Sequence, residues 1–281
     1  MTAHPLRLPT GPVDLAALPT DAKPGFDGKK SDGKAALCGL GDELADLQER
    51  LWAEGRATGS RRRVLLVLQG MDTSGKGGTL RHTVGLVDPQ GVRITSFKAP
   101  TKEELSHDFL WRIRRAVPDP GYLGVFDRSH YEDVLIARVN ELASLEEIDR
   151  RYDAINAFEQ ELVDDGTVVL KCMLHLSKDE QRNRLLARLD NPEKHWKYEP
   201  GDIDARARWD DYQEAYALAL ERTNTEHAPW YVVPSDRKWF RNLAVGQLLL
   251  AALRGMDLRW PAADFDVEAE RARLLASDAS T

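Results

Sequence analysis

The chain is poor in the features that would tie it to an oxidising compartment, a membrane or nucleic acid. Its 281 residues include two cysteines, Cys38 and Cys172, without a partner at metal or redox spacing. That excludes a disulfide framework, and both read as reduced thiols. The opening stretch "MTAHPLRLPTGPVDL" has neither the basic head nor the apolar core of a secretion signal. The best membrane candidate, "LAVGQLLLAAL" at 243–253, is too short to span a bilayer and contains Gln247. A buried helix is expected there instead. Positive charge is not in excess either, since the net charge of −7 argues against a general nucleic-acid binder. The expectation is a soluble cytoplasmic protein with no nucleic-acid and no membrane partner.

What is present suits a globular domain with a sizeable core: 42% hydrophobic and 30% charged residues. Residues 1–38, rich in Pro, Gly, Asp and Lys around "DAKPGFDGKKSDGK", read as an extended or partly ordered arm. Residues 39–260 read as one domain and 261–281 as a tail. Leu40, Leu44, Leu47 and Leu51 recur at helical spacing. Five short segments then read as strands: 61–70, 92–97, 122–126, 167–176 and 230–234. Each is apolar on both faces, the pattern of a parallel sheet covered on both sides. Helical periods lie between them. Leu105, Phe109, Ile113 and Val117 share one face of 102–117, and 145–164 and 177–189 also look helical. In 203–222 the stripe Trp209, Tyr212, Tyr216 and Leu220 reads as core packing. Strand–helix alternation predicts a doubly wound α/β domain, a three-layer α/β/α sandwich on a five-stranded parallel sheet.

The informative stretch is "VLLVLQGMDTSGKGGTLRHTV". Gly70, Gly75 and Lys76 keep the G-x-x-x-x-G-K spacing of a phosphate-binding loop, between a strand and a helix. Glycines let backbone N–H groups approach phosphate oxygens, and the lysine neutralises their charge. The hydroxyl residue that usually follows the lysine and binds magnesium is missing. Gly77 and Gly78 cannot ligate a metal, and Thr79 comes three residues after Lys76. Asp72 sits inside the loop, where a carboxylate among phosphates is costly unless a cation or proton is shared. It is expected to work through Mg²⁺ or to orient an acceptor phosphate. Asp127 ends the run "YLGVF", where a second magnesium-binding aspartate is expected, although a strand-terminal Asp is often only a helix cap. Arg128 follows and could brace phosphoryl oxygens. His130, Glu132 and Asp133 lack a third ligand at helical spacing, so zinc is not expected.

The segment "QRNRLLARLDNPEKHWKYEPGDIDARAR" at 181–208 decides the substrate class. Arg184 and Arg188 share a helix face, and Lys194 and Lys197 follow the turn signal Asn191-Pro192. With acids interleaved, this is either a solvated face or a mobile lid at about 181–205 that closes over phosphates. Arg81, Lys98, Arg112, Arg114, Arg115 and Arg138 add further cations. So many in an acidic chain suggest a long polyanion held by ions.

Five segments, "GMDTSGKGGT", "SFKAPTKEELSHDFLWR", "FDRSHYEDVL", "RLDNPEKHWKYEPGD" and "TEHAPWYVVPSDRKWFRNL", together resemble the family 2 polyphosphate kinases over about residues 40–255. The resemblance implies a P-loop kinase-like fold with a helical lid. It implies reversible phosphoryl transfer between inorganic polyphosphate and nucleotides (AMP, ADP, ATP, with GDP as a further acceptor). It makes Asp72 and Lys76 catalytic and sets Asp127 and Arg128 beside the phosphates. It makes Arg184, Arg188, Lys194 and Lys197 phosphate contacts. Mg²⁺, with Mn²⁺ as a substitute, is the implied cofactor, held by Asp72 and Asp127, and a homodimer or homotetramer is implied. "SHYEDVL" is most like the class accepting nucleoside mono- and diphosphates, many of whose members carry Asn at the place of Asp127. The choice between AMP and ADP therefore stays open at this point. The rival readings are an ATP-dependent nucleoside monophosphate or small-metabolite kinase, and a nucleotide-dependent regulatory binding module.

Overall fold

In the computed structural model, which describes residues 4–278, five strands form one parallel sheet in the order β2-β3-β1-β4-β5. They are β1 (Arg63–Gln69), β2 (Val92–Ser96), β3 (Leu123–Asp127), β4 (Thr167–His175) and β5 (Trp230–Pro234). The helices are α1 (Lys30–Gly39), α2 (Gly41–Ala57), α3 (Lys76–His82), α4 (Trp111–Ala116), α5 (Glu132–Val139) and α6 (Leu145–Asp164). After them come α7 (Lys178–Leu189), α8 (Gly201–Ala207), α9 (Trp209–Thr223), α10 (Lys238–Arg254) and α11 (Val267–Asp278).

The period of two along β1 sorts its side chains into the two cores. Leu65 and Val67 join Ile148, Ile155 and Phe158 of α6, while Val64, Leu66 and Leu68 join Leu44 and Leu51 of α2 and Leu249 of α10. Both faces are thus covered, which is why this strand reads as an unbroken apolar run. The expected buried helix 243–253 lies inside α10, and no helix among the described residues is long and apolar enough to cross a membrane.

Four expectations change. Strand β2 is an edge strand with Arg93, Ile94 and Ser96 exposed, not a strand buried on both faces. The helix expected over 102–117 is broken: a 3-10 turn at Glu104–Ser106 precedes α4, and Leu105 is exposed. Asp108 is the cause, because its side chain accepts from Leu110 N–H and its carbonyl from Trp111 N–H, restarting the chain. Residues 203–222 divide into α8 and α9 at Arg208, whose ψ of 28° leaves the helical path. Within the expected arm, residues 30–39 are helical and pack on α10, with Gly33 against Trp239. The arm before them is extended but anchored: Leu6, Leu8 and Leu15 are buried, and Arg7 bridges Tyr231 antiparallel along the free edge of β5. The tail forms the exposed helix α11. The first three residues of the arm and the last three of the tail lie outside the described residues.

Beneath the sheet a charged pair is sealed in the core. Lys171 Nζ donates to Glu159 Oε2 at 2.6 Å, to Thr223 O at 2.7 Å and to Tyr131 Oη at 2.9 Å, using all three protons. Glu159 Oε1 accepts from Tyr131 Oη at 2.7 Å and lies 3.2 Å from His130 Nε2. Burial alone would neutralise Glu159, but Lys171 and His130 outweigh it and hold the carboxyl below its usual range. Removing one partner strands the other charge. Lys171→Met is expected to lower stability by about 3–5 kcal/mol, read as a shift in the urea unfolding midpoint.

Candidate active site

The site lies at the C-terminal ends of β1 and β3. After Gln69 the chain turns through Gly70 (φ 148°) and Gly75 (φ 110°), a conformation open to glycine, and enters α3 at Lys76. Lys76 Nζ donates to Gly70 O at 2.8 Å, so the lysine folds back over the loop. Burial pushes its pKa down, and nearby Arg128 adds to this, while Asp72, Asp127 and Glu132 oppose it.

Arg128, just beyond β3, has φ 64°, which is uncommon for a residue with a side chain. Its N–H donates to Leu68 O at 3.1 Å. In this conformation Nη2 donates to Asp72 Oδ1 at 2.7 Å and Nη1 to Glu132 Oε2 at 3.4 Å. Burial works against the Arg128 charge, but Glu132 and Asp72 outweigh it and hold the guanidinium charged. Asp127 ends β3 and faces Leu68 in register. Its carboxylate has no hydrogen-bond or ion-pair partner among the described residues.

These groups open onto a cleft of about 840 Å³. Lys76, Arg81, Arg128, Arg188, Lys194, Lys197 and Lys238 line it, with Asp72 and Asp127 as the carboxylates among the described residues and Gly75, Gly77 and Gly78 in its floor. Helix α7 and a 3-10 turn at Pro192–Lys197 contribute to it, with Arg188 Nη1 donating to Lys197 O at 2.7 Å and Asp202 Oδ2 at 3.0 Å. Asp72 and Arg128 also line a smaller recess with Gly70, Glu132, Tyr212 and Tyr216. The tyrosine stripe read as core packing therefore reaches the site as well.

Four expected site residues sit elsewhere or act differently. Arg184 is buried, and all five of its N–H donors are used, on Glu180, Thr73 O, Ser74 O, Ser235 O and Asp236 O. It therefore braces the loop from behind and has no donor left for a substrate. Arg138 pairs with Glu214 in a separate cleft. Lys98 lies in a recess beyond β2 with Arg112 and Arg115. Thr79 is buried, with its hydroxyl 3.4 Å from Gly75 O.

Sequence reading missed Glu132, Lys238 and Arg241. Glu132 was weighed only as a zinc ligand, and among the described residues no group of three or more His, Cys, Asp or Glu is placed to hold a metal by itself. Nothing in the sequence marked it, because the ion pair with Arg128 is set by the left-handed turn before α5 and not by helical spacing. Lys238 and Arg241 belong to "SDRKWFRNL", a segment quoted for its resemblance without a role for its cations.

Glu132 gives the site a pH signature. Burial raises its pKa above the ordinary 4.5, with Arg128 and Lys76 opposing. The folded state then holds a proton that the unfolded state has released, so this group's contribution falls as pH rises from about 4.5 through the raised folded value. In urea unfolding across that window, wild type is expected to lose stability relative to Glu132→Gln as pH increases. A constant difference between the two would show that Glu132 titrates normally.

With this geometry in view, the relatives of the chain are informative. The model of the polyphosphate kinase 2 family matches residues 27–261. An AMP/ADP-polyphosphate phosphotransferase of Meiothermus ruber is 47% identical over 253 residues, covering 90% of this chain and 93% of that protein. An ADP-polyphosphate phosphotransferase of Rhodopseudomonas palustris is 41% identical, covering 89% and 88% respectively. The crystal structure of polyphosphate kinase 2 from Arthrobacter aurescens TC1 superposes with a TM-score of 0.93 at 57% identity, over 96% of this chain and 95% of that one. The family model over most of the chain and the near full-length relatives agree, and the chain belongs to the polyphosphate kinase 2 family.

Proposed function

We propose that the protein transfers the terminal phosphoryl group of inorganic polyphosphate to nucleoside mono- and diphosphates, reversibly and with a divalent metal. One observation carries this reading. In a chain of net charge −7, seven Lys and Arg side chains converge on one cleft against two aspartates. A single nucleotide needs only a few such cations, whereas a long polyanion engages all of them. The name of the Meiothermus ruber relative supports both acceptors.

The donor end lies over Gly70–Lys76. Lys76 exchanges the Gly70 carbonyl for a phosphoryl oxygen, keeping its charge where negative charge develops. Arg128, fixed between Asp72 and Glu132, meets the transferred group. Arg188, Lys194 and Lys197 close from the lid and exclude water. The acceptor oxygen is a phosphate oxygen already anionic near neutral pH, so positioning and electrostatics carry the rate.

Among the described residues Asp127 has no ion-pair partner, and Asp72 uses only Oδ1. Two carboxylates beside phosphates suit Mg²⁺, which takes few protein ligands and completes its shell with phosphate and water. Asp72 and Asp127 would hold Mg²⁺, or Mn²⁺ in its place, and the ion would draw charge from the bridging oxygen.

The test offers AMP and ADP separately with long-chain polyphosphate and Mg²⁺, following ADP and ATP by chromatography. Both acceptors are expected to be converted, with EDTA stopping the reaction. Asp72→Asn and Lys76→Ala are each expected to lower turnover at least about a hundredfold while the protein stays folded. Product from ADP alone would restrict the acceptor class. No product from either, with ATP consumed instead, would replace this reading with that of an ordinary ATP-dependent kinase.

A further inference from the structure

Behind the phosphate loop lies a cation, Arg241, that does not itself line the cleft. Arg241, in the first turn of α10, is 2% exposed. Its Nη1 donates to Ser74 O at 3.0 Å, and Nε and Nη2 donate to Asn242 Oδ1 at 3.2 and 2.8 Å. It has no carboxylate partner among the described residues. Another cation, Arg184, donates to the same Ser74 O at 3.1 Å. Buried charges are normally paired, because taking a lone ion out of water is expensive. Burial and Arg184 push the Arg241 pKa down to about 9, which leaves it charged at neutral pH but under strain.

The glycines in front of it show where its field goes. A Cβ on Gly75 would lie 1.7 Å from Arg241 Nη1, and one on Gly78 would lie 2.6 Å from Nη2. Both glycines also line the cationic cleft on their other side. At these two positions the wall between the guanidinium and the cleft is one backbone thick. The missing side chains thus admit Arg241 from behind as well as phosphate from the front. Its three hydrogen bonds leave one N–H free on each terminal nitrogen.

We propose that Arg241 is a positioning residue for phosphoryl binding, a buried unpaired cation that acts through the Gly75 and Gly78 backbone and finds its counter-charge only in the bound phosphates. The proposal rests on the reading of the cleft as a polyphosphate site.

The probe is sodium tripolyphosphate, used with wild type, Arg241→Gln, Arg241→Lys, Gly78→Ala and the double variant Arg241→Gln/Gly78→Ala. Thermal unfolding is measured with and without the probe, and its Kd by calorimetry. Wild type is expected to gain Tm with tripolyphosphate. Arg241→Gln is expected to lose most of that gain and to bind about tenfold more weakly. Arg241→Lys, which keeps the charge, should retain most of both. Gly78→Ala displaces Nη2 and should weaken binding, but add little once Arg241 is already Gln. That non-additivity also serves if Arg241→Gln proves too unstable to assay alone, since Arg241→Lys/Gly78→Ala can take its place in the cycle. A lower Tm in Arg241→Gln with Kd and ligand-induced gain unchanged would make Arg241 only a brace and overturn the proposal, as would full additivity with Gly78→Ala. Absence of any tripolyphosphate effect on wild type would instead refute the polyphosphate reading of the cleft itself.

Discussion

The site depends on one carbonyl oxygen, that of Ser74, which accepts from two buried guanidiniums at once. Arg184 reaches it at 3.1 Å from α7 and Arg241 at 3.0 Å from α10. A glycine-rich loop has little conformational stiffness of its own. Its shape is imposed by these donors, together with Gln181, whose amide reaches Asp72 O at 3.2 Å. The same helix α7 carries Arg188 into the cleft. Helix α7 and the loop are therefore mechanically joined. A movement of α7 that swings Arg188 also tugs the backbone of Thr73 and Ser74.

On the open side of the loop a second constraint acts. Arg128 accepts a left-handed backbone so that its fork reaches Asp72 and Glu132 together. Strain of this kind persists only where the surroundings over-determine it. Here the ladder bond to Leu68 O and the two carboxylates do so. The next residues, Ser129 to Tyr131, run into the sealed Glu159–Lys171 pair, so the turn carrying Arg128 is tied to the core by His130 and Tyr131. A chemical group at the surface thus rests on polar contacts beneath the sheet.

Most of the fold was legible because buried parallel strands leave a plain mark, an apolar run such as "RVLLVLQ" ended by glycine. Asp72, Lys76, Asp127 and Arg128 were legible for a related reason, since a phosphate loop and a strand-end acid are local in sequence. What escaped reading was the direction in which a cation points. Arg184 and Arg188 share a helix and a spacing of four, yet one faces the loop backbone and the other the cleft. Only the packing of α7 against residues 235–236 decides that. Lys98 and Arg138 carry the right charge but lie where the sheet edge and α9 place them. The broken helix at 102–117 shows the limit of periodicity, because Asp108 offers the backbone a local partner that the apolar count ignores.

The anchored arm has a consequence for how the chain reaches its final state. Leu8 N–H donates to Trp230 O, Asn224 donates to Leu8 O across 216 residues of sequence, and Thr20 donates to Asp236 across the same span. During synthesis this arm has no dock until the fifth strand, which follows it by more than two hundred residues, has emerged. The outer rim of the sheet beside β5 therefore closes only when nearly the whole chain is available, a late, long-range step of the kind that slows folding. His175, which takes the Leu15 and Leu18 carbonyls at 3.0 and 3.2 Å, and Asp236, which binds Thr20, both lie beside the start of α7. The helix that braces the phosphate loop therefore gains its last neighbours at that closure, which makes the beginning of the chain a seal on the finished molecule.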